Sequence, residues 1–102
     1  MTKEIIWTSG ATSDLQEVNN SFQELSAEVL ISKLNHVMPL LSAFPLIAGI
    51  YHGKVRKYSI GPGNRFGLFY TVEANRIIVV GFLDLRQDPK TLYSTLRQRT
   101  FG

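Results

Sequence analysis

The stretch "KVRKYSIGPGNRFGLFYTVEANRIIVVGFLDL", Lys54–Leu85, carries the clearest structural pattern of the chain. It holds three segments rich in valine, isoleucine and aromatic residues, at 54–60, 65–72 and 76–85, which "GPGN" and "EAN" separate. Segments of this composition are typical of β-strands, and a connection as short as "EAN" predicts a hairpin. The stretch therefore predicts three consecutive strands of a mainly antiparallel sheet.

The first half of the chain predicts one strand and two helices. "EIIWT", residues 4–8, is a short β-branched and aromatic segment. Ser13 and Gln16 have the spacing of a capping box and predict that the first helix starts there. Pro39 predicts that the second helix either kinks near Asn35 or ends around Met38. The order β-α-α-β-β-β predicts an α+β fold, with an N-terminal helical hairpin packed on a twisted, mainly antiparallel sheet.

Length and composition limit the function classes. A chain of 102 residues with 44% hydrophobic content suffices for one core, so we expect a single domain, 1–102. No apolar run reaches the roughly 20 residues of a membrane span, and the N-terminus lacks the pattern of a secretory signal, so we expect a cytoplasmic location. The chain has no cysteine, and His36 and His52 lie on different predicted elements. We therefore predict neither a metal site nor a cofactor.

Positive charge is concentrated in the second half of the chain. Residues 1–53 carry two lysines against five acidic residues, a net charge of −3. Residues 54–102 carry nine lysines and arginines against three acidic residues, a net charge of +6. This asymmetry favours a polyanion or an acidic protein as the partner of the second half, while a merely solvated basic surface is the alternative.

Two arginines are predicted to meet at one end of the sheet. Arg65 opens one strand and Arg86 follows the next, and in an antiparallel pair the start of one strand lies beside the end of the other. With Tyr93 nearby, they could bind phosphates and stack on a base. The alternative is structural: Arg86 pairs with a neighbouring aspartate, and Tyr93 packs with adjacent leucines.

Three further cations lie in or beside the first of these strands. Lys54 and Arg56 alternate onto one face of the predicted strand, and Lys57 lies on the other. We expect these residues to contact a nucleic acid or another target.

The chain resembles the RelE/ParE superfamily of toxins from type II toxin-antitoxin systems. The resemblance runs over nearly the whole chain: it begins with "WTSGATSDL", continues through "FP" at Phe44-Pro45, and is strongest over "RKYSIGPGNRFGLFYTVEANRIIVVGFLDLRQDP". It implies the β-α-α-β-β-β fold. It also implies growth inhibition and neutralisation by a cognate antitoxin.

The superfamily implies two mechanisms. ParE-like members poison DNA gyrase, and "FP" and "RQDP" are more typical of that branch, which we favour slightly. RelE-like members are metal-independent endoribonucleases that cleave ribosome-bound mRNA. In that case the resemblance places Arg65 and Arg86 at the phosphate-stabilising arginines, Tyr93 near the catalytic tyrosine, and Lys54 or Lys57 near the strand lysines.

This chain also departs from the ParE-like pattern. It has Asp84-Leu85 before Arg86, where many ParE-like chains have histidine and a small residue. The implied partners are a cognate antitoxin and either DNA gyrase or ribosome-bound mRNA, in a homodimer or a toxin-antitoxin hetero-oligomer and without a membrane. A non-toxic basic module that binds RNA or protein is the remaining alternative.

Overall fold

The computed structural model describes residues 3–21 and 24–101 of the chain. Five strands, three α-helices and one short 3₁₀ turn follow one another. They are β1 (Glu4–Trp7), α1 (Ser9–Ser21), α2 (Glu24–Ala43), β2 (Ile50–His52), β3 (Val55–Ile60), the 3₁₀ turn (Pro62–Asn64), β4 (Phe66–Val72), β5 (Arg76–Asp84) and α3 (Pro89–Phe101).

The strands form one mixed sheet in the order β1-β5-β4-β3-β2. Only β1 and β5 run parallel, and the other three pairs are antiparallel. The predicted α+β fold and the three strands of the second half are confirmed. The structure adds β2 to the predicted order β-α-α-β-β-β. For the tail, residues 90–102, Leu92 and Leu96 lie four apart in the sequence and leave a short helix and a loose segment as alternatives, and the structure shows the helix α3.

The sheet has an apolar cluster on each face. On one face, Leu30 and Leu41 of α2 and Ala11 of α1 pack on Leu68 and Ile77. On the other face, Leu92 and Leu96 of α3 pack on a second cluster, which contains Val55, Phe69, Val80 and Leu83. The central strand β4 is therefore covered on both sides, which explains why "FGLFY" is apolar without alternation.

Both helices of the hairpin differ from the predicted boundaries. The α1 helix begins at Ser9, not Ser13, because the Thr8 hydroxyl accepts a hydrogen bond from the Ala11 amide at 3.2 Å and caps the helix earlier. Of the two outcomes predicted for Pro39, the end near Met38 is wrong, since α2 continues through Pro39 to Ala43. Leu41, beyond the proline, is fully buried, and this burial offsets the hydrogen bond that Pro39 cannot donate.

The short strand β2 depends on its neighbour for its conformation. The Lys57 amide donates to the Gly49 carbonyl at 3.1 Å, and the pairing is irregular between Ile50 and His52. A three-residue strand held by such contacts has little pattern of its own in the sequence, which is why it was not predicted.

Candidate functional site

Arg65, Asp84 and Arg86 form a cluster at one end of the sheet, which we call the strand-end cluster. Phe66 pairs with Asp84 in the β4-β5 register, so Arg65 directly precedes this pair and Arg86 follows it by two residues. The Leu85 amide donates to the Arg65 carbonyl at 2.7 Å and closes the strand end. The cluster is thus positioned by backbone pairing.

Both arginines bind the same carboxylate. Arg65 Nε lies 3.1 Å from Asp84 Oδ2, and Arg86 Nη2 lies 3.1 Å from the same oxygen. The Arg86 amide donates to Asp84 Oδ1 at 2.9 Å. The two arginines therefore meet as the antiparallel register predicted, and of the candidate carboxylates it is Asp84 that pairs with Arg86.

Asp88, the other candidate partner of Arg86, accepts hydrogen bonds at the start of α3. Its carboxylate accepts a hydrogen bond from the Lys90 amide at 2.8 Å, and its carbonyl accepts from the Thr91 and Leu92 amides. Asp88 therefore acts as the N-terminal cap of α3.

The shared carboxylate stays ionised at neutral pH. Burial raises the pKa of Asp84, but hydrogen bonds from the Arg86 side chain and amide and from Arg65 outweigh burial and hold the pKa below its ordinary value of 3.8. Asp84 consequently cancels one of the two positive charges of the cluster. The Arg86 side chain is 66% exposed and that of Arg65 is 33% exposed, so Arg86 is the more accessible cation.

A cavity of about 350 Å³ lies beside the strand-end cluster, between α1 and the sheet. Three carboxylates and one guanidinium line it, namely Asp14, Glu17, Asp84 and Arg65. Such a lining disfavours a phosphate group inside the cavity. An anionic target would therefore meet the outer side of the cluster, where Arg86 is exposed.

Tyr93 lies at a different place from the two arginines. Its hydroxyl is 3.3 Å from His52 Nε2, and the two rings meet edge to face with centroids 4.8 Å apart. His52 belongs to β2, three strand positions from β5, which corresponds to roughly 14 Å at the usual strand spacing. The three residues proposed from sequence as catalytic thus divide between two sites.

The three further cations also have different surroundings. Lys54 is exposed in the β2-β3 turn, outside β3, and Lys57 is half-buried on the α3 face of β3. Arg56 Nη1 donates to the Ala48 carbonyl at 2.6 Å and holds the segment that precedes β2. Arg56 therefore has a structural partner, while Lys54 extends into solvent.

The sequence did not reveal an ion pair that joins both ends of the chain. Arg99 of α3 forms a bidentate pair with Asp14 of α1, with Nη2 at 2.9 Å from Oδ1 and Nη1 bonded to Oδ2. Only 8% of Asp14 is exposed. The hydrogen bonds that Arg99 donates to the Asp14 carboxylate raise the pKa of Arg99, which keeps the guanidinium charged. We call this pair the Asp14-Arg99 clasp.

The clasp completes the hydrogen bonding of β5. The last β1-β5 pair is Trp7 with Val79, so among the described residues β5 has no strand beside it on that side from Val80 onwards. Asp14 Oδ2 accepts from the Phe82 amide at 3.1 Å, and Arg99 Nη1 donates to the Val80 carbonyl at 3.1 Å. The clasp thus provides hydrogen-bond partners for backbone groups of β5 that an adjacent strand would otherwise bind.

One signal in the sequence could have indicated the clasp. Asp14 lies three residues after Ala11 and four before Val18, on the apolar face of α1. An acidic residue on a buried helix face requires a partner, although the sequence does not show that the partner is 85 residues away.

Within residues 3–21 and 24–101, no group of three histidine, cysteine or acidic side chains could hold a metal ion. None of the helices described there is both long enough and apolar enough to cross a membrane.

The sheet order and the helical hairpin are compatible with a RelE/ParE-like fold. A family model described as "ParE toxin of type II toxin-antitoxin system, parDE" matches residues 5–89. The chain therefore belongs to the ParE toxin family and is the toxin component of a type II toxin-antitoxin system. A search of curated proteins found no match.

Proposed function

We propose that this ParE-family toxin arrests growth in the cytoplasm by poisoning DNA gyrase, acts as one domain of residues 1–102, and is neutralised by a cognate antitoxin. The strand-end cluster is the proposed gyrase-contacting site, with Arg86 as its exposed cation. The observation that carries the proposal is the separation of Tyr93 from the two arginines that share Asp84. Phosphate stabilisation and proton transfer by these three residues at one RNA bond need them within a few ångströms of each other.

The test compares the two targets with the same purified protein. It is incubated with gyrase and plasmid, and separately with translating ribosomes and message. We expect inhibited supercoiling or linearised plasmid in the first reaction and intact message in the second. Cleavage of message at the ribosomal A site, with unaffected gyrase, would overturn the proposal.

A ribosome-dependent endoribonuclease remains the second candidate, because of one contact. The Tyr93 hydroxyl lies within hydrogen-bond distance of His52 Nε2, and Arg97 lines the same shallow pocket. Histidine can exchange a proton with a tyrosine hydroxyl or a ribose hydroxyl near neutral pH, and arginine can hold a phosphate. Tyr93→Phe would then abolish message cleavage, whereas we expect it to leave gyrase inhibition unchanged.

The third candidate, a non-toxic RNA- or protein-binding module, makes a separate prediction. Induced expression of the chain without its antitoxin would leave growth unchanged. We expect growth arrest instead, and recovery on co-expression of the antitoxin.

A further inference from the structure

Another cavity, of about 440 Å³, lies between α2 and the end of β3 with the 3₁₀ turn that follows it. We call it the α2 cavity. Two core residues that line it, Val37 and Ile60, are 9% and 4% exposed and form an apolar floor. Polar residues of α2 and of the turn complete the lining. Small-molecule sites of proteins have this composition, and their volumes are usually about 300–1,000 Å³.

The α2 cavity is lined by basic side chains and by no carboxylate. Lys33 and His36 line it, and none of its lining residues is aspartate or glutamate. Glu28, on the same helix, lies five positions before Lys33 and outside the lining. The cavity beside the strand-end cluster, in contrast, has three carboxylates and one guanidinium. Of these two cavities, it is therefore the α2 cavity that favours an anionic ligand.

Lys33 and His36 lie on one face of α2, because they are three residues apart in the helix. His36 Nδ1 lies 2.9 Å from the Ser32 carbonyl, and since a carbonyl only accepts, Nδ1 carries the proton and Nε2 is the ring nitrogen that a ligand can reach. Lys33 is exposed and forms no ion pair with another residue in the described part of the chain. Ammonium and imidazolium groups both donate charge-assisted hydrogen bonds to phosphate oxygens.

The wall opposite α2 adds two neutral residues that can bind the rest of a ligand. Tyr58 is half-buried in β3, and Asn64 is exposed at the end of the 3₁₀ turn. The Asn64 amide donates to the Gly61 carbonyl at 3.0 Å, which holds Asn64 at the rim of the cavity. A tyrosine ring offers an apolar surface with a hydroxyl at its end, and an asparagine side chain both donates and accepts hydrogen bonds.

We propose that the α2 cavity binds a small phosphorylated molecule of the nucleoside monophosphate class. In this mode Lys33 and His36 hold the phosphate, and the nucleoside lies on the apolar floor beside Tyr58. The inference goes beyond the proposed function and does not depend on it. The α2 cavity and the cavity beside the strand-end cluster have no lining residue in common.

The test titrates the isotopically labelled full chain with adenosine monophosphate, adenosine and inorganic phosphate, and follows the backbone amide resonances by NMR. Salt is kept at about 0.15 M, where the screening length is about 8 Å, so that distant charges contribute little. We expect the resonances of residues 32–37 and 58–64 to shift. Adenosine monophosphate should bind at least about tenfold more tightly than either other probe, because it alone contacts both the cations and the apolar floor.

A pair of matched variants assigns the phosphate to α2. Lys33→Gln removes the charge but keeps a long polar side chain, and we expect it to weaken binding of adenosine monophosphate by about tenfold or more and to leave adenosine binding unchanged. Lys90→Gln is the control, since Lys90 is also an exposed lysine in a helix but lies in α3, away from the cavity. It should bind as the unsubstituted chain does. His36→Gln should weaken binding of adenosine monophosphate as well.

Several outcomes would overturn the inference. Equal affinities for adenosine monophosphate and adenosine would exclude a phosphate site, and inorganic phosphate bound as tightly as adenosine monophosphate would exclude a nucleoside site. Equal losses in Lys33→Gln and Lys90→Gln would show attraction by net charge alone. Absence of any shift at millimolar adenosine monophosphate, or shifts confined to other parts of the chain, would also contradict it. Gyrase inhibition is not part of this assay, so a negative result removes this inference and leaves the proposed function standing.

Discussion

Asp84 and Arg86 have different roles in the strand-end cluster. Asp84 is mostly buried, with 22% of its side chain exposed, and it holds two guanidinium groups in place. The Arg86 side chain is 66% exposed, although its Nε and Nη2 both donate to the Asp84 carboxylate. The aspartate therefore orients the cluster, and the arginine is the group that a target can reach.

The first prediction concerns Arg86→Ala. We expect gyrase inhibition to fall by at least about tenfold, because the exposed charge-assisted contact is lost. Stability should change by less than about 1 kcal/mol, since exposed ion pairs contribute little. Arg76→Ala is the control: Arg76 is an exposed arginine paired with Glu73 at 3.3 Å, at the other end of β5. Equal activity of both variants would show that Arg86 has only a structural role.

The second prediction is the pH dependence of Asp84→Asn. Because the pKa of Asp84 is lower in the fold than its ordinary 3.8, its carboxylate stabilises the fold above that pH. This stabilisation is lost as the pH falls through the folded-state pKa. We expect the variant to lose roughly 1 kcal/mol of unfolding free energy at pH 7, and the difference to shrink below pH 3.8.

Urea denaturation between pH 7 and pH 2.5 measures this difference. Glu73→Gln removes an exposed carboxylate, 47% of whose side chain is accessible, and should shift stability far less. A difference for Asp84→Asn that stays constant with pH would contradict the assigned role of its charge.

At the scale of elements, the Asp14-Arg99 clasp fixes α3 to α1. Each helix covers a different face of the sheet, and β1 ends before it reaches the bonded part of β5. The clasp bridges this gap with a charged pair that also binds two backbone groups of β5. Removal of either partner leaves a buried charge and unpaired backbone groups.

The third prediction follows from this geometry. Asp14→Ala should lower the free energy of unfolding by about 3 kcal/mol, because it leaves the Arg99 guanidinium without its carboxylate. Arg99→Lys should also destabilise the fold, since lysine cannot form the bidentate pair. Arg97→Lys is the control on the same helix. Chemical denaturation checks all three, and a double-mutant cycle of Asp14→Ala with Arg99→Ala should give a coupling energy above about 1 kcal/mol. Additive effects would contradict the clasp.

The elements that the sequence predicted are those with a local signal. Continuous apolar segments predicted β4 and β5, and the hairpin register predicted that Arg65 and Arg86 meet. The continuation of α2 past Pro39 depends on burial of Leu41, which is a tertiary effect. The clasp and the contact of Tyr93 with His52 join residues 85 and 41 positions apart. Nothing in the local pattern specifies such distant pairs.

Across the whole molecule, acidic residues are distributed unequally between the two sides of the sheet. Residues 50–60, which form β2, β3 and the turn between them, carry Lys54, Arg56 and Lys57 and no acidic residue. Asp14, Asp84 and Glu4 lie on elements at the β1-β5 side, where the cations Arg65, Arg76 and Arg86 accompany them. The net charge of +3 understates this separation. A negatively charged segment should therefore be steered towards one edge of the molecule.

The fourth prediction separates the effect of where a charged residue lies from the effect of the net charge of the chain. Lys54→Glu and Lys90→Glu change the net charge equally, but Lys54 lies in the turn after β2 and Lys90 in the first turn of α3. At low salt, we expect Lys54→Glu to slow association of a synthetic peptide that alternates valine with glutamate several-fold, and Lys90→Glu to slow it less, because steering depends on the local field. At about 1 M salt, where the screening length falls to roughly 3 Å, the two rates should converge. Stopped-flow fluorescence anisotropy of the labelled peptide measures both association rates. Equal slowing by the two substitutions at low salt would mean that only the net charge attracts the peptide and that the position of the charge near β2 has no effect.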